Sequence, residues 1–110
     1  MAIFRTFLIL ALAVLLVYTA IVIQNHGISL LSVFFGDIAA MTWHGQFNLD
    51  FMLMLMLSGL WVAWRNRFSG SGLVLALFAF FGGALFLALY LLYLLRSTEG
   101  DLKIVLLGDN

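Results

Sequence analysis

Apolar residues in this chain do not alternate with polar ones; they run in three long blocks. The first extends from about Phe7 to Ile23, seventeen residues preceded by Arg5. The second extends from Phe47 to Trp64, and the third from Leu73 to Leu95, twenty-three residues without a charge. A helix needs about 20 mostly apolar residues to cross a bilayer. The pattern therefore predicts an all-α fold of three transmembrane helices, over residues 4–24, 47–66 and 71–96. The second block is the shortest, since its continuous apolar part, Phe51 to Trp64, has fourteen residues. Extending it back through Asn48 and Asp50 adds enough for ~27 Å at ~1.5 Å per residue, and sets Asp50 about one turn inside the apolar boundary.

The stretches between the blocks are patterned too. Leu31, Phe34, Phe35, Ile38 and Met41 fall at helical spacing, with Ser29, Ser32, Gly36, Asp37 and Ala40 on the other side. That spacing predicts a short amphipathic helix near 29–40 lying in the membrane interface, followed by Trp43 at headgroup depth. A loop packed over the bundle mouth is the alternative. Residues 97–110 carry Glu99, Asp101 and Lys103 before an apolar Ile104-Val105-Leu106-Leu107. The chain thus divides into a transmembrane domain, 1–96, and a short tail, 97–110, that is interfacial or a partner contact.

Composition makes the bilayer the solvent. Of 110 residues, 65% are hydrophobic and 9% charged, with mean hydropathy +1.19; soluble domains sit near ~45–50% and ~25%. A secretory signal would share the basic start, but its apolar core is usually ~7–15 residues with an A-x-A-like cleavage site. Cleavage after Ala20 would need bulky Tyr18 in that motif, so the first block reads as a retained helix. Net charge is zero and no basic run exists, which argues against nucleic acid as a partner. The absence of cysteine excludes disulfides, thiolate metal sites and cysteine nucleophiles together. No proline is present to kink a helix.

Lysine and arginine set the expected orientation. Residues 24–50 contain none, whereas Arg5 precedes the first helix and Arg65 and Arg67 lie between the second and third. Positive charge marks cytoplasmic segments, so the amino terminus is expected in the cytoplasm of a bacterial inner-membrane protein. Three crossings then place the carboxyl terminus outside, with Arg96 and Lys103 counting against that arrangement.

Small residues mark the expected packing faces, because helices in lipid associate where backbones approach closely. These are Ser58 and Gly59 in the second helix, and Ala76, Ala79, Gly82 and Gly83 in the third. A ligand groove along Gly82–Gly83 is the competing reading. Polar residues must be satisfied where water is absent. Tyr18, Asn48, Asp50, Tyr90 and Tyr93 occupy the outer thirds of their helices, and His26 continues that layer. Asp50 accordingly reads as the acceptor of a polar cluster with Tyr18, Tyr90 or His26, as the amino-terminal cap of the second helix, as a ligand or proton site, or as a contact with another subunit. His26 and His44 with Asp50 match no metal-ligand spacing, so no metal or cofactor is expected. Trp61 and Trp64 form an inner aromatic belt.

The same positions carry a family resemblance. Tyr18, His26-Gly27, Phe47-Asn48-Leu49-Asp50, a basic turn from Arg65 to Gly70, then Gly83, Tyr93 and Arg96 follow one another in an order that resembles the small bacterial three-helix membrane proteins grouped as domain of unknown function 2834. The likeness spans about residues 5–96 and implies architecture without an activity. Three functions remain open. The first is a non-catalytic helical subunit or accessory component that associates with itself or with other membrane subunits. The second is a lipid- or small-molecule-handling protein with an outward-facing pocket around Asp50. The third is a membrane enzyme on an apolar substrate, weakened by the single acid within the spans.

Overall fold

The structure is a computed structural model and describes residues 2–108 and 110. Its elements are α1 (Ala2–His26), α2 (Leu30–Ala39), α3 (Trp43–Arg65), α4 (Gly70–Ser97) and α5 (Leu102–Leu107). No strand occurs among the described residues. By length and composition α1, α3 and α4 could each span a membrane.

The third of these does not run straight. Gly83 has φ 57° and ψ −140°, which divides α4 into half-helices over 70–82 and 84–97. An unbroken helix would place Tyr90 about 30 Å beyond Gly70 at ~1.5 Å per residue. Instead the Tyr90 hydroxyl lies 3.0 Å from Asn66 Nδ2, and its ring centroid is 6.2 Å from that of Trp61. Phe78 and Phe86, one on each half, stack at 6.4 Å. The chain reverses at Gly83 and returns to the end from which it started. The expected single crossing over 71–96 is therefore corrected to a helical hairpin.

The cause lies in two adjacent glycines. A Cβ on Gly82 would stand 2.5 Å from Phe86 Cβ, and the backbone angles of Gly83 are open only to a residue without a Cβ. Glycine pairs are among the few features that break helices without proline. The hairpin packs along α3, where Gly59 approaches the Ala76 carbonyl to 3.2 Å (measured from the Cβ it lacks) and Gly83 meets the Phe51 ring at 3.2 Å. The hairpin tip is thus level with residues 51–55, ~15–21 Å from Arg65 along the helix, short of a ~30 Å hydrocarbon core.

This reversal relocates the tail. Val105 is fully buried in the same core as Leu8, Val62, Leu94 and Leu95, and Phe4 lines a groove with Leu91, Leu102 and Val105. The start of α1, the α3–α4 turn and α5 consequently share one end of the molecule. A straight α4 would have carried residues 97–110 to the opposite end from Arg65, as the sequence reading required; the fold returns them beside it. All five basic residues, Arg5, Arg65, Arg67, Arg96 and Lys103, belong to this end, so Arg96 and Lys103 no longer oppose the charge asymmetry.

The other end is open. Every residue of α1 from Leu16 to His26 is exposed. The total accessible surface is 8001 Å², against about 6,100 Å² for a compact soluble protein of this mass. There α2 folds back on the first turns of α3. A Cβ on Gly45 would collide with the Asp37 carbonyl and lie 3.0 Å from Ile38 Cα, while Asn48 Nδ2 donates to the Phe34 carbonyl at 3.1 Å. The half-buried stripe of α2 is Phe34, Asp37 and Ile38, and Leu31 and Phe35 are exposed. Asp37 therefore shares a side with Phe34 and Ile38, unlike the division expected from spacing.

Candidate functional site

The densest polar constellation lies where α5 meets the end of α3. A helix leaves its last four carbonyls without partners in its own ladder, and a six-residue helix consists mostly of such ends. Here each is satisfied. The Ile104 carbonyl accepts from the Gly108 amide at 2.8 Å and from Arg65 Nη2 at 3.2 Å. Val105 O accepts from Arg65 Nε, Leu106 O from Trp61 Nε1 at 3.0 Å, and Leu107 O from Asn110 Nδ2 at 2.8 Å. Asn110 also reaches the Trp64 carbonyl at 3.0 Å. At the other end of α5, Asp101 accepts from the amides of Lys103 and Ile104 at 3.1 and 3.4 Å.

Arg65 can bridge these groups because its guanidinium is a rigid fork of donors. Its remaining arm, Nη1, points to the Tyr90 hydroxyl at 3.5 Å, and Cζ sits 6.0 Å from that ring's centroid. Asn66 Nδ2 donates to the same hydroxyl at 3.0 Å and to the Val62 carbonyl at 2.8 Å. One residue thus ties α3, the returning half of α4 and α5 together. Through these bonds the cluster clamps α5 to the bundle.

The polar layer expected at the outer end does not assemble. Tyr90 is buried at the Arg65 end, because the hairpin carries it back there. Tyr18 and Tyr93 are 68% and 65% exposed, and His26 and Asp50 are exposed as well. Among the described residues none of these four makes a side-chain hydrogen bond, while Asn48 is engaged by Phe34. Nor does Asp50 cap α3. That helix begins at Trp43 with Thr42 in the capping position, about one turn earlier than the apolar pattern suggested, so Asp50 stands within it. Among the described residues no three His, Asp or Glu side chains converge as a metal site.

The small residues fare differently. Gly59 packs on Ala76, Ala79 is fully buried, and Ser58 keeps a buried hydroxyl without a partner. Gly82 and Gly83 serve the reversal first and packing second. Sequence reasoning did not single out the clamp of Arg65, Asn66, Trp61 and Tyr90. Its one legible sign was an arginine placed directly after the apolar run of the second helix. Comparison with protein-family models, curated proteins and solved structures gives no match.

Proposed function

We propose that this chain is a non-catalytic helical subunit of a membrane assembly, joined to its partner through the α3 face bearing Asp50 and the tip of the α4 hairpin. The observation that carries this reading is Asp50 itself, exposed within a span and without a hydrogen-bond partner among the described residues. A carboxylate at such depth costs ~2.5–3.5 kcal/mol on insertion scales and is normally turned toward protein or water. It adjoins Phe51, whose ring touches Gly83. There the helix break frees main-chain groups that lipid cannot satisfy, and Phe81 beside it is 78% exposed. A partner supplying donors at this level meets both needs. The open grooves lined by Leu91, by Leu77 and by Val17 are apolar and do not include Asp50, which favours an interface over a polar ligand pocket.

The setting completes the proposal. The amino terminus and the basic end face the cytoplasm of a bacterial inner membrane, supported by the gathering of all five cations at one end. The tail follows them there, and α2 lies at the outer interface. Kinship with the domain of unknown function 2834 proteins rests on the ordered motifs from Tyr18 to Arg96.

Copurification in mild detergent tests the reading. The chain is expected to bring down a stoichiometric membrane partner or a second copy, and Asp50→Leu to abolish that association while the protein still inserts. A wild-type chain that brings down neither a stoichiometric partner nor a second copy, or an Asp50→Leu chain that keeps the association, would overturn it.

A further inference from the structure

Asp50 belongs to a longer stripe, and α1 carries its counterpart. On α3 the residues turned into the molecule are Met52, Leu55, Gly59 and Val62, all buried or half-buried. On the other side of that helix Phe47, Asp50, Met54 and Leu57 follow at steps of three, four and three, and all are exposed. On α1 the inward residues are Phe4, Leu8, Ala11 and Leu15. Opposite them Val14, Val17, Ile21 and Gln24 follow at the same three steps, and all are exposed. Alternating steps of three and four make the straight seam by which two helices pack at a shallow angle.

The two seams also match in depth. Leu8 and Val62 lie in one buried cluster, which gives α1 and α3 a common level. At ~1.5 Å per residue, Ile21 stands ~20 Å outward of Leu8, and Asp50 ~18 Å outward of Val62. Gln24 with Phe47, Val17 with Met54 and Val14 with Leu57 agree as closely, each to about one residue's rise. The polar members are complementary. Asp50 offers a carboxylate and Gln24 an amide donor, and neither side chain has a hydrogen-bond partner among the described residues. Side chains lean toward the start of their own helix, so on antiparallel helices Gln24 leans inward and Asp50 outward, toward one another. Within one molecule the two seams cannot meet, since both helices turn their other sides to its interior.

Resting on the reading of Asp50 as an interface residue, we infer that the partner is a second copy of this chain. The α1 seam of one copy packs on the α3 seam of the next, with Gln24 donating to Asp50. Both copies share one bilayer and one orientation, so α1 and α3 meet antiparallel and at these depths. Each copy uses a different face toward each neighbour, which makes the assembly head to tail.

Oxidative cross-linking in native membranes tests this, and the absence of cysteine leaves introduced thiols as the only ones. Two differently tagged full-length chains, one with Val14→Cys and one with Leu57→Cys, are expected to form a mixed dimer. Leu16→Cys with Met56→Cys, exposed at comparable depth on other faces, should not. Adding Gln24→Leu should lower the yield of the mixed dimer about threefold, the usual scale for one side-chain hydrogen bond between membrane helices. A single chain carrying both Val14→Cys and Leu57→Cys should give products larger than a dimer. A mixed dimer no more abundant than the control pair, or one indifferent to Gln24→Leu, would overturn the inference, and products that stop at the dimer would overturn the head-to-tail arrangement. If the seam pair fails while a different membrane protein copurifies and is lost in Asp50→Leu, the second copy is refuted and the subunit reading stands. A chain that associates with nothing refutes both. Val14, Leu57 and Gln24 are all exposed, so these variants leave the packed interior intact.

Discussion

Replacing hydrogen by methyl at residue 83 would decide how firmly the hairpin is set. At φ 57° and ψ −140° an alanine is strained by ~1–3 kcal/mol, and its Cβ would also press on the Phe51 ring at 3.2 Å. Gly83→Ala should lower the unfolding temperature in detergent, whereas Gly70→Ala, with open space around it, should be close to neutral. Arg65 is the other decisive residue. Its fork serves two carbonyls at once, and a hydrogen bond to a charged group contributes ~1.5–3 kcal/mol. Lysine keeps the charge and loses the fork, so Arg65→Lys should release α5 almost as fully as Arg65→Ala. Limited proteolysis would report this as faster cleavage after Thr98; a tail as resistant as wild type in Arg65→Lys would mean that charge alone holds it.

Among the elements, the helical character of α1, α3 and α4 was legible because apolar blocks leave helices no alternative in lipid, but the division of α4 at Gly83 was not. The remaining elements depend on neighbours. α5 is six residues long, far below the ~12–15 at which a helix persists by itself. It exists because Asp101 holds its first amides and Arg65 and Trp61 hold its last carbonyls. The Asp101 cap is local, but the bonds of Arg65 and Trp61 cannot be foreseen from spacing, since they join residues 40 and 45 apart. α2 was legible as a helix, but its contact face was not. Hydrophobicity would have sent Asp37 to the water side, yet Gly45 brings the two backbones so close that Asp37 is caught in the corner. Gly45→Val should pry α2 from α3, and hydrogen exchange over residues 30–39 should quicken while that of residues 55–65 is unchanged. Unaltered exchange in 30–39 would show that Asn48 suffices to hold the corner.

For the whole molecule, the reversal at Gly83 changes which segments share a side of the membrane. Cysteines at Arg67 and at Lys103 should label from one face, and a cysteine at Ser29 from the other. A straight α4 predicts that Lys103 labels together with Ser29 instead. By itself the sequence determined that this chain is helical, that three stretches are long and apolar enough to suit a bilayer, and where those apolar blocks begin and end. Those properties follow from composition and from the cost of unpaired backbone in lipid, which are local. Direction is not local. Twenty-three apolar residues fit the composition of one crossing or of a hairpin, and a glycine pair reads the same whether it packs a helix or breaks it. Only the tertiary contacts chose between them, Tyr90 on Asn66 across 24 positions and Arg65 on Val105 across 40, because a fold is selected by which distant groups satisfy one another.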